Sequence, residues 1–110
     1  MLPKKNRLTK KKEFDLVFRG GRILKNDFLV ARFLKNHIPE NRFGFIVAKK
    51  VSKKGTVRNK VKRQLRYIIS QEIRNIKSGI DWIIIAQPGI EKKSFFEIKK
   101  ALNGFLKRAN

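Results

Sequence analysis

Between Asn41 and Gln71 the chain carries ten Lys and Arg and not one Asp or Glu over thirty-one residues. Like charges at that density repel, so those side chains must reach solvent or a polyanion, and only the apolar positions among them can enter a core. In Val57-Arg58-Asn59-Lys60-Val61-Lys62-Arg63-Gln64-Leu65-Arg66 the apolar Val61 and Leu65 stand four apart, and Ile68, Ile69 and Ile76 extend the stripe. That spacing puts them on one side of an α-helix. It predicts a helix from Val57 to about Lys77, closed by Ser78-Gly79, with Lys60, Arg63, Arg74 and Lys77 outward and Arg58 and Lys62 flanking the stripe. The first turn would combine free backbone N–H groups with Arg58, Lys60, Lys62 and Arg63, a setting suited to phosphate. Asn59 adds a donor and acceptor for a sugar hydroxyl or a base edge.

The excess of cations extends along all 110 residues, 29 Lys and Arg against 8 Asp and Glu for a net charge of +21. Hydrophobic residues at 41%, nine Phe among them, are nevertheless too many for a disordered basic tail. Without repeats or a Pro/Gly/Ser-rich linker, residues 1–110 read as a single nucleic-acid-binding domain, residues 1–8 forming a basic segment free to flex. Thr9 is placed to cap a first helix carrying Phe14, Val17 and Phe18 on one side and ending at Gly20-Gly21. Ile23 and Leu24 suggest a short strand. Asp27 to Leu34 and Phe43 to Ala48 read as an antiparallel pair joined by the turn residues 37–41. Trp82 to Ala86 reads as a strand buried on both faces. Ser94-Phe95-Phe96-Glu97 is a capping box opening a last helix with Phe95, Ile98, Leu102 and Phe105 inward. The order α-β-β-β-α-β-α predicts an α+β sandwich whose mixed sheet contains one parallel pair.

Other chemistries are poorly served. There is no Cys, and the longest fully apolar run, Trp82 to Ala86, is far too short for a membrane span. No secretory pattern opens the chain, so a soluble, cytoplasmic protein is expected. The carboxylates are Glu13, Asp15, Asp27, Glu40, Glu72, Asp81, Glu91 and Glu97; only Glu13 and Asp15 are close in sequence, and two apart on a helix they do not face each other. The single His37 lies among turn residues, and Thr9, Ser52, Thr56, Ser70, Ser78 and Ser94 have no evident base partner. The expectation is a polypeptide with no catalytic residue and no metal site of its own. One sheet face must take the two long helices, leaving a groove beside the short first helix. Phe14 and Phe18 have two readings: core packing, which one of them is expected to take, or stacking of unpaired bases in that groove, with Lys49 and Lys50 at its rim.

The chain resembles the protein subunit of bacterial ribonuclease P. Asn6-Arg7-Leu8 followed by Phe14 and Phe18 is similar to that family's opening. Val47-Ala48-Lys49-Lys50 resembles its strand end before a basic loop, and Val57 to Arg66 resembles its R-N-R signature with the K-R-x-x-R continuation. The third signature position is Lys60 where the family usually has Arg, which removes a planar fork for bidentate contact. The resemblance covers about residues 5 to 107 and implies a left-handed strand–helix–strand crossover. It also implies an accessory subunit of an endoribonuclease: a catalytic RNA removes the 5′ leader of precursor tRNA, using Mg2+ held mainly by RNA and substrate. The RNA-binding set it implies is Arg7, Lys49, Lys50, Lys53, Arg58, Asn59, Lys60, Lys62, Arg63 and Arg66, with Phe14, Phe18, Lys49 and Lys50 in a leader groove. Its partners would be the catalytic RNA and precursor tRNA, with no membrane and no obligate protein partner. A structural ribosomal protein would share the size and charge without needing an open aromatic groove. A protein-only nuclease would need carboxylates that converge in space.

Overall fold

The run Ile80 to Ala86 (IDWIIIA) has one polar position, so a strand made of it must be covered on both faces. In the computed structural model, which describes residues 2–109, that run is an inner strand of a four-stranded sheet. The strands are β1 (Arg22–Lys25), β2 (Leu29–Lys35), β3 (Arg42–Ile46) and β4 (Ile80–Ala86); the helices are α1 (Lys11–Gly20), α2 (Gly55–Glu72) and α3 (Phe95–Arg108). The sheet order is β1-β2-β4-β3, with β4 antiparallel to β2 and parallel to β3. The α+β order and the single parallel pair match expectation.

The antiparallel pairing expected between β2 and β3 does not form, because β4 lies between them. Polar links from the start of β3 select β4 as its neighbour. Arg42 grips Asp81 of β4 with two prongs, Nε to Oδ1 at 2.8 Å and Nη2 to Oδ2 at 2.7 Å, and also bonds Glu13 of α1. Next to it, the buried Asn41 donates to the Lys77 carbonyl at 2.9 Å and accepts from the Ile80 N–H at 3.0 Å. Asn36 holds the turn that looked like a hairpin, donating to the Glu40 carbonyl and to Asp81 Oδ1.

Strand alternation sorts the apolar residues into two layers. Leu29, Ala31, Phe43, Trp82, Ile84 and Ala86 pack with Val61, Leu65, Ile68 and Ile69 of α2 and Ile98, Leu102, Phe105 and Leu106 of α3. On the opposite face Ile83, Leu34, Ile46 and Ile85 meet Val17 and Phe14 of α1 and the buried Leu8. An aromatic row crosses the helical layer: Phe33, Trp82 and Phe43 stand in register on three strands with centroids 5.0 and 5.9 Å apart, and Phe45 extends it at 6.4 Å. Each such pair adds about 0.5–1.5 kcal/mol beyond area burial.

The crossover hand follows from one residue. Phe43 turns its side chain toward α2, while its carbonyl turns away from β4 to accept the Leu8 N–H at 2.9 Å. For an L-residue this puts β4 to the left of β3, viewed from the helical layer with both strands running upward. Since α2 crosses on that layer, β3–α2–β4 is left-handed, against the usual rule and as the resemblance implied.

Element ends differ locally. Lys10, not Thr9, precedes α1, its N–H held by the Glu13 carboxylate at 3.1 Å. After Glu72, α2 tightens into a 3-10 turn at Ile73–Asn75 instead of running to Lys77, swinging the chain to where Asn41 captures it. The Ser94–Glu97 capping box forms, and the Ser94 N–H followed by its hydroxyl holds the Glu97 carboxyl below its ordinary pKa. Phe95, expected inward, stays at the surface against Tyr67, with centroids 6.0 Å apart. In the basic lead-in Leu2, Asn6 and Leu8 are buried, and Asn6 Nδ2 donates to the Asn41 carbonyl at 2.8 Å.

Asp81→Ala would leave Arg42 without its principal partner. Removing one member of a buried pair costs about 3–5 kcal/mol, and because Arg42 is 22% exposed we expect about 2–4 kcal/mol in urea unfolding. A loss below about 1 kcal/mol would show that this network does not hold β3 to β4.

Candidate nucleic-acid interface

Beyond β3 the chain turns tightly at Ala48–Val51, the Val51 N–H bonding the Ala48 carbonyl at 3.0 Å and Val51 entering the core. Val51 thereby fixes Lys49 and Lys50 in an exposed turn. The basic loop that follows is closed by Arg58, whose Nη1 reaches back to the carbonyls of Ser52 (2.9 Å) and Lys53 (3.0 Å). Arg58 therefore commits part of its guanidinium to holding the loop against the first turn of α2. Lys53, Asn59, Lys60, Arg63 and Arg66 are exposed, and Lys62 is half-buried beside the apolar stripe. No acid interrupts this surface along the helix until Glu72.

Arg63 and Arg66 overhang a cleft of about 670 Å³ between α2, the edge of β3 and the segment before α1. Its floor is Leu2, Leu8, Phe14, Phe43 and Phe45; Arg7, Arg63, Arg66 and Tyr67 surround it. Arg7 is braced by a 2.9 Å bond from Nε to the Leu2 carbonyl. The tip of the Phe14 ring sits so close to β3 that a Cβ on Gly44 would come within 2.7 Å of its Cε1, so only glycine admits the ring here. Rings below and guanidinium groups at the rim suit unpaired bases with their phosphates.

The structure brings Phe14, Arg7, Arg63 and Arg66 around one space, but leaves Phe18, Lys49 and Lys50 outside the cleft. Phe18 is 39% exposed further along α1, its ring covered by the Arg32 guanidinium at 5.1 Å and its carbonyl bonded by Arg32 at 3.1 Å. Three cleft aromatics escaped the sequence reading. Phe43 and Phe45 entered the sequence reading only as part of a strand, and Tyr67 was not singled out. Its position among the cations of the outer helical face was the available signal.

The carboxylates do converge at one place, but around Arg42: Glu13 and Asp81 both bond its guanidinium, and the Asp81 bond raises its pKa further. Among the described residues, no group of three or more His, Cys, Asp and Glu could hold a metal ion. Nor is any helix among them long and apolar enough to cross a membrane.

Residues 2–110 match the family model of ribonuclease P. The chain belongs to the ribonuclease P protein family. The ribonuclease P protein component of Syntrophomonas wolfei is 37% identical over 99% of this chain and 91% of its own length. That of Bacillus cereus is 36% identical over 98% and 94%. Among solved structures, the RNase P protein of Thermotoga maritima in complex with 1-(4-fluorophenyl)-2-thiourea superposes with a TM-score of 0.86, at 32% identity over 93% of this chain and 98% of that one. The RNase P protein of Staphylococcus aureus gives 0.87 at 28% identity over 97% of each. Membership makes this chain the protein component of an endoribonuclease holoenzyme.

Gly44→Ala should push the Phe14 ring off β3. We expect about 1–3 kcal/mol of destabilisation in thermal or urea unfolding, as for overpacking elsewhere. Unchanged stability would mean that Phe14 is not held against the strand.

Proposed function

We propose that this chain grips RNA on behalf of a catalytic RNA: the cationic face of α2 and its loop dock on that RNA, and the cleft takes the single-stranded 5′ leader of precursor tRNA. One observation carries the second half, the joining of an aromatic floor to an arginine rim at the β3 edge. Neutralising charge where two polyanions meet strengthens binding, and stacking supplies roughly 1–3 kcal/mol per base without demanding a sequence. Lys49, Lys50, Lys53, Asn59, Lys60 and Lys62 would meet the catalytic RNA, while Arg7, Arg63, Arg66 and Phe14 would serve the leader. Arg58 would act mainly by shaping the loop. Phe18 would contribute only if Arg32 moved from its ring.

In this reading the polypeptide breaks no phosphodiester bond. Mg2+ would be held by the RNA and substrate, and would supply charge stabilisation for hydrolysis there. The protein would work in the cytoplasm on precursor tRNA, without an obligate protein partner.

Two outcomes test this. Arg63→Ala with Arg66→Ala should flatten the salt dependence of leader-bearing tRNA binding by roughly 1 to 2 log units per log unit of salt, measured on the reconstituted holoenzyme. An unchanged slope would mean that neither side chain meets phosphate. In the same holoenzyme, Phe14→Ala should weaken binding of leader-bearing substrate more than that of mature tRNA. Equal losses would confine Phe14 to packing, and cleavage by the isolated protein with magnesium alone would contradict the division of labour.

A further inference from the structure

The aromatic surface does not stop at the cleft. Tyr67, at the cleft edge, is 53% exposed and touches Phe95 of α3, beside which Phe96 is 72% exposed. Tyr67 thus belongs both to the cleft and to a second patch, Tyr67–Phe95–Phe96, on the outside of the helical layer. Tyr67 packs on Phe95, Phe96 follows Phe95 in the first turn of α3, and exposed rings of this size grouped together mark an interaction surface.

The chemistry around the patch selects its occupant. Arg63 and Arg66 flank Tyr67 on α2, and Lys99 and Lys100 follow Phe96 by three and four residues on α3, the spacing that puts side chains side by side on a helix. The nearby acids are already engaged: Glu97 accepts from the Ser94 N–H and lies 4.0 Å from Lys93, and Glu91 accepts from the Gly89 N–H. A second copy of this chain would bring another +21 charge to the same face, so self-association is opposed by repulsion. A membrane would need a broader apolar face than three rings. Single-stranded RNA needs what is present: exposed ring faces between cations.

We propose that Tyr67, Phe95 and Phe96 form a second base-stacking platform, continuing the path of single-stranded RNA from the cleft over α2 onto α3. This rests on the view that the cleft binds RNA, and extends it to longer single strands. The bases would stack on Phe96 and Tyr67, and the phosphates would meet Arg63, Arg66 and Lys100.

The test uses fluorescence anisotropy of end-labelled oligouridylates of stepped length with the full chain. Phe96→Ala should leave short oligomers unaffected and weaken longer ones by about five- to tenfold, near the low end of what one stacked base contributes. Phe96→Trp should restore affinity, and emission from the new indole should be quenched by long oligomers only; Trp82, 1% exposed, gives a constant background. Phe96→Lys should not restore it, although it adds charge. Equal affinities for all four proteins at every length would overturn the platform while leaving the cleft in place. If even the shortest oligomers failed to bind the wild-type chain, the cleft reading would fall first. A concentration-dependent dimer in sedimentation, abolished by Phe96→Ala, would assign the patch to a second copy and overturn the RNA assignment.

Discussion

Everything in this fold answers to a shortage of negative charge. With 8 acids for 29 cations, few carboxylates are available to neutralise the surface, and six of them have structural bonds or ion pairs. Glu13 and Asp81 hold Arg42, Glu91 and Glu97 cap backbone N–H groups, Glu72 meets Asn103, and Glu40 pairs with Lys5. The acids secure turns, helix starts and strand pairing, leaving the outer face of α2 almost uniformly cationic. Self-repulsion disfavours the free protein, and contact with a polyanion relieves it.

The same economy shapes the cleft. Arg42 and Asn41 fasten β3 to β4, so the far edge of β3 faces outward, and the lead-in segment covers only part of it through the Leu8–Phe43 bond. Phe43 and Phe45 belong to the aromatic row of the core, yet at this edge they reach the cleft. A core that spills into a binding surface needs no extra residues to stiffen the site. Gly44 contributes by having no side chain, which lets Phe14 settle from the other face.

Much of this was legible in the sequence, for identifiable reasons. Helical periodicity located α2 and its buried Val61, Leu65, Ile68 and Ile69, and the capping box located α3. Strand neighbours were misjudged because proximity along the chain argues for a hairpin, whereas the deciding bonds join Arg42 to Asp81 and Asn41 to Ile80, about forty positions apart. Such partners have no local signature. The expected groove residues part company for a similar reason: Phe14 and Phe18 are one turn apart on α1, but Arg32 of β2 claims Phe18 while β3 receives Phe14. Arg58 looked like a phosphate ligand from its place at the helix start, and its bonds to Ser52 and Lys53 appear only once the loop is folded back.

The central claim is that the leader lies in the cleft bounded by Arg7, Phe14, Phe43, Phe45, Arg66 and Tyr67. The most direct measurement is photocrosslinking from 4-thiouridine placed in the leader of a precursor tRNA bound to the reconstituted holoenzyme, with the modified peptide mapped. Crosslinks concentrated in the peptides bearing Phe43, Phe45 and Tyr67, and absent with mature tRNA, are the expected result. Crosslinks confined to the Phe18–Arg32 side, or no crosslink to the protein at all, would contradict it.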